Sequence, residues 1–86
     1  MDLNQVVITT KYVIAGAPIL RVIRNQEDGI FEFVGSDPVD IDDYRLLSME
    51  EIIRLDNTLR QVIDIPPGFI AYRMNENDMW KICNPR

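Results

Sequence analysis

Histidine is absent from this chain, and cysteine occurs once, at Cys83. Without an imidazole there is no Ser-His-Asp or Cys-His nucleophile pair, and most zinc sites lose a ligand. A lone cysteine forms neither an internal disulfide nor a thiolate cluster, and such sparing use fits a reducing compartment. The glycines at 16, 29, 35 and 68 stand apart, so no glycine-rich loop is available to cradle a phosphate. Bases do not cluster either: Arg45, Arg54, Arg60 and Arg73 come singly in a chain of net charge −5, which opposes nucleic-acid binding. No apolar run approaches the roughly 20 residues of a membrane span. Residues 1–5 have neither the basic segment nor the apolar stretch of a secretion signal. The expectation is a cytosolic protein that is not an enzyme and needs no cofactor or metal.

Acids are plentiful, and they are unevenly placed. Residues 26–43 hold seven, namely Glu27, Asp28, Glu32, Asp37, Asp40, Asp42 and Asp43, and no base. Residues 1–44 contain eight acids against three bases, whereas 45–86 carry six of each, so the whole net charge comes from the first half. If these acids also cluster in space, their field favours a basic partner. Four carboxylates within residues 37–43 also suit a hard cation, but the central glycine and twelfth-position glutamate of an EF-hand loop are missing. A solvated loop that contacts a partner is the better reading.

With 86 residues the chain makes one domain, 1–86. A domain of this size buries only about 60–65% of its unfolded surface, which leaves no core volume for a large internal cavity. Function is therefore expected on the surface.

Periodicity predicts the elements. Residues 5–14 alternate as a strand, with Val6, Ile8, Thr10, Tyr12 and Ile14 assigned to the core face. A second strand is expected over 19–24, with Leu20 and Val22 inward, and a third over 30–34, with Phe31 and Phe33 on one side. Between them, residues 25–29 contain Asp-Gly, a hairpin signal. Residues 44–47 are a possible further strand. Ser48 and Glu51 match a capping box, opening a helix over 49–55. Asp56 caps a second helical segment, 57–63, and Ile52, Leu55, Leu59 and Val62 carry the apolar face. Pro67-Gly68 fits a type II turn, and strands over 69–74 and 79–83 close the chain. The fold class is α+β, a mainly antiparallel sheet with two short helices packed on one face. An uncovered edge in so small a sheet leaves a homodimer open.

The run Tyr44-Arg45-Leu46-Leu47-Ser48-Met49-Glu50-Glu51-Ile52-Ile53-Arg54-Leu55-Asp56-Asn57-Thr58-Leu59, followed by Ile65-Pro66-Pro67-Gly68-Phe69-Ile70-Ala71-Tyr72-Arg73, resembles the small bacterial DUF2185, or immunity protein 33-like, family. Residues 6–13 and 18–20 are similar too. Family members often carry tryptophan after the Pro-Pro-Gly turn, where this chain has Phe69 and Tyr72. The resemblance implies an immunity protein, a cytosolic inhibitor of a bacterial toxin. Many toxins of that kind are nucleases with basic sites, to which an acidic inhibitor is complementary. The alternative is a small regulatory or housekeeping domain with another partner. The expected contact residues are Asp37, Asp40, Asp42 and Asp43, with Tyr44 as an anchor beside them. Phe69, Tyr72 and Trp80 are further aromatic candidates if exposed.

Overall fold

A computed structural model describes residues 2–85; Met1 and Arg86, the ends of the expected domain, lie outside the described residues. The alternating stretch 5–14 is not one strand. It divides into β1 (Val6–Thr10) and a single helical turn, α1 (Lys11–Ile14), because the Thr10 side chain accepts a hydrogen bond from the Val13 N–H at 3.2 Å and caps the turn. The face assignment is also reversed within β1: Val7 and Thr9 are buried and Val6 is exposed, although Thr10, expected inward, is buried where the strand ends. Thr9 tolerates the interior because its hydroxyl donates to the Phe33 carbonyl at 2.8 Å.

The next strands are β2 (Arg21–Arg24) and β3 (Phe31–Val34), joined by the expected turn, in which Gly29 takes φ 71°. Val22 is in the core. Ile19 is as well, from just before the strand, and Leu20 is only half-buried, so the expected inward position of Leu20 is not realised. β4 (Tyr44–Ser48) leads directly into α2 (Met49–Leu55). The capping box forms, with the Glu51 N–H donating to Ser48 Oγ at 3.1 Å and the Ser48 N–H donating to Glu51 Oε1 at 2.9 Å. The second helical segment is a 3-10 helix, Asn57–Gln61, capped by Asp56, whose carboxylate accepts from the Thr58 N–H at 3.0 Å. Gly68 at φ 88° and a Phe69 N–H to Pro66 carbonyl bond of 3.1 Å close the Pro-Gly turn. Two short strands follow, β5 (Ile70–Tyr72) and β6 (Lys81–Cys83).

The six strands form one sheet in the order β4-β1-β3-β2-β5-β6. Only the β1–β3 pair is parallel. Val7, Val22, Phe31, Phe33 and Ala71 share one face and form the core with Met49, Ile52, Ile53, Leu59, Val62 and Ile65 from the helical region. The fold class read from the sequence is the fold observed. Among the helical residues expected in the core, Ile52, Leu59 and Val62 are buried and Leu55 is the exception, at 50% exposed. The buried stripe of α2 runs through Met49, Ile52 and Ile53, so its next member is position 56, not 55.

Position 56 is therefore an aspartate at the end of a core stripe, and Arg73 meets it. Arg73 is 4% exposed and forms a salt bridge with Asp56. Its guanidinium also donates to the carbonyls of Ile19 at 3.0 Å and Glu76 at 3.3 Å, and to Thr58 Oγ1 at 3.1 Å. It lies 4.2 Å from the centre of the Trp80 ring, whose N–H donates to the same Thr58 oxygen. Burial works against ionisation of Asp56, but hydrogen bonds from Thr58 and Arg73 outweigh it and hold the carboxyl below the usual carboxylate range. Among the described residues no helix is long and apolar enough to cross a membrane.

Leu59→Ala is expected to cost about 2–5 kcal/mol in denaturant unfolding, and Leu55→Ala less than about 1 kcal/mol. Arg73→Ala leaves Asp56 unpaired and is expected to cost about 3–5 kcal/mol. The lowered Asp56 pKa means that its stabilising contribution is present above its ordinary value of 3.8 and is lost as pH falls through the folded value. Urea titrations from neutral to acidic pH should therefore show a shallower loss of stability for Asp56→Asn than for the parent.

Candidate partner-binding surface

The acidic loop begins at Gly35, where a Cβ would lie 2.8 Å from the Pro18 carbonyl oxygen, so only glycine lets the two backbones approach this closely. It ends in a 3-10 turn, Ile41–Asp43, immediately before β4. Asp43 does not point to solvent with its neighbours: it is 6% exposed. Its carboxylate accepts from the Asp40 N–H at 2.9 Å and from the Tyr12 hydroxyl at 3.2 Å, and pairs with Lys11 Nζ at 3.1 Å. The Asp40 N–H, then Lys11, hold its carboxyl below the usual range despite burial. Burial, reinforced by Asp43, raises the Tyr12 phenol above its ordinary value. Asp43, expected to face a partner, instead fastens the loop to α1. Asp37, Asp40 and Asp42 remain exposed, and among the described residues none of the three forms an ion pair.

Tyr44 opens β4 at 40% exposure, opposite Thr10 in the ladder. Its side lies on the sheet face turned away from α2, and Tyr72, 39% exposed, shares that face as the register partner of Arg21. Between the two tyrosines runs an open groove of about 550 Å³. Arg21 and Glu32 line it together with Val34, and Asp37 contributes from the acidic loop. The structure thus brings Asp37 and Tyr44 to one groove, leaves Asp40 and Asp42 on exposed parts of the adjoining loop, and turns Asp43 inward.

The other aromatic candidates are structural. Trp80 packs under Arg73 and on the core, and Phe69 is half-buried against the same cluster. Arg21 and Glu32 are the groove residues that the charge run did not single out. Their signal was the parity of the strands, because the Phe-Glu-Phe of β3 must turn Glu32 away from the two buried phenylalanines. Electrostatically the groove presents two carboxylates and one exposed guanidinium beside a solvated acidic loop. This composition suits the recognition of a cationic surface and supplies no paired nucleophile and base. Among the described residues no three of His, Cys, Asp and Glu gather in a group that could hold a metal ion.

Compared with family models, curated proteins and solved structures, the chain matches none of them.

Proposed function

We propose that this protein is a non-catalytic binding module of the cytosol that inhibits a basic partner protein, in the manner of a bacterial immunity protein. The observation that carries the reading is the concentration of exposed, unpaired carboxylates, Asp37, Asp40 and Asp42, next to an open groove flanked by Tyr44 and Tyr72. Acids held free of internal ion pairs steer a cationic surface towards the site, and half-exposed tyrosines supply large contact area at low entropic cost. The immunity assignment adds the resemblance within residues 44–73 to the immunity protein 33-like pattern, a resemblance that no family model supports. A small regulatory domain with another basic partner uses the same surface and differs only in what it binds.

Genomic neighbourhood separates the two: a toxin-domain gene directly upstream favours immunity. Co-purification from the native host, followed by binding kinetics with the recovered partner, tests the surface itself. Asp37→Asn, Asp40→Asn and Asp42→Asn combined are expected to slow association and to flatten its salt dependence, with little change in dissociation. Tyr44→Ala is expected to speed dissociation by an amount worth about 2 kcal/mol. An association rate and salt slope untouched by the triple change would remove the electrostatic support.

A further inference from the structure

On the sheet face turned away from α2, Thr10 and Val34 are buried at the end beside the acidic loop, and the rest of the face is half-buried or exposed. Leu46, Ile8, Glu32, Ile23, Ile70 and Cys83 are successive register partners across all six strands. Leu46 is 70% exposed, and Val6 and Ile30 are exposed near the same row. Six strands at about 4.8 Å spacing span about 24 Å, so the open part of the face offers a few hundred Å² of mixed apolar and charged surface.

Glu32 interrupts this row, with Asp28 and Asp37 beside it from the adjoining turn and loop. Glu32 is half-buried between Ile8 and Ile23 in the ladder, and among the described residues its side chain forms no hydrogen bond or ion pair. Arg21 lies on the neighbouring strand, one position along, where it pairs in register with Val34 and Tyr72. It too is without a side-chain partner among the described residues. The two are diagonal neighbours on an antiparallel pair, roughly 7–8 Å apart at their Cβ atoms. Opposite charges side by side, each unpaired and set in one face, make that face complementary to itself. A two-fold axis lying parallel to the sheet and midway between them places each Arg21 over the other copy's Glu32, which is the requirement of an isologous interface.

We propose that this open face joins two copies of the chain face to face, with reciprocal Arg21–Glu32 ion pairs set among Ile8, Ile23, Leu46 and Ile70. The proposal goes beyond the inhibitor reading and does not depend on it. Because Tyr44 and Tyr72 border the same face, the second copy and a basic partner compete for it. The area places the dimer among weak, transient interfaces, with dissociation in the micromolar range.

Sedimentation of the full-length chain over micromolar to submillimolar concentrations tests this. The parent is expected to show reversible monomer–dimer exchange. Glu32→Lys alone and Arg21→Glu alone each place like charges in contact across the axis and are expected to weaken association at least about tenfold; the two combined restore it. Leu46→Asp, at an exposed position that is safe for folding, is expected to weaken it without rescue. Circular dichroism establishes that each variant is folded. A parent that remains monomeric throughout overturns the proposal. So does a dimer indifferent to the single charge reversals, which would assign association to the sheet edges β4 or β6.

Discussion

The buried guanidinium of Arg73 is the contact on which the arrangement of this small protein depends. It joins four stretches of chain that no strand ladder connects directly: the approach to β2 at Ile19, the helix junction at Asp56 and Thr58, the turn at Glu76, and the indole of Trp80. Taking a cation out of water costs several kcal/mol, and the cost is offset only where its donors all find acceptors. Here each of its three nitrogens finds at least one, and among the described residues no buried side-chain nitrogen or oxygen lacks a partner. The interaction is specific as well as cohesive. A helical region shifted by one residue along the sheet would leave both Asp56 and Arg73 unmatched, a penalty that purely apolar packing does not impose.

The outer side follows the opposite logic. Carboxylates there are left without internal ion pairs, apolar strand residues are left uncovered, and the loop that carries the acids is held by contacts beneath it. Lys11 and Tyr12 fix Asp43 from one side, and the close approach of Gly35 to Pro18 fixes the other end. Such anchoring pre-organises the exposed acids, so a partner does not have to order them on binding.

Much of the fold was legible from the chain itself. Where one local signal acted alone the reading matched: the Ser48–Glu51 capping box, Asp56 as a cap, the Asp-Gly hairpin, the Pro67-Gly68 turn and the paired phenylalanines of β3. It failed where two signals competed. Residues 5–14 alternate perfectly, but Thr10 is also a helix cap, and the cap prevailed. The core face of β1 was misassigned because apolar character was weighed and the hydrogen-bonding capacity of Thr9 was not. Leu55 was placed inside because a single apolar spacing was continued through Asp56, where the chain turns into extended conformation. At the surface, charge density located the acidic loop but could not distinguish Asp43, whose partners lie 31 and 32 residues earlier in sequence. Arg21 and Glu32 emerged only once the strand register was known.

The strand order has a consequence for synthesis on the ribosome. The first 48 residues contain four contiguous strands, β4-β1-β3-β2, including the central parallel pair. Until the next stretch emerges, that partial sheet has Val7, Val22, Phe31 and Phe33 uncovered on one side, and the edge of β2 that later receives β5 is open. The nascent chain thus passes through an interval in which both faces and one edge are adhesive, and it ends only when the helical segment lands and Arg73 finds Asp56. Delayed emergence of residues 49–73 would prolong this vulnerable interval, and chaperone demand should be greatest there.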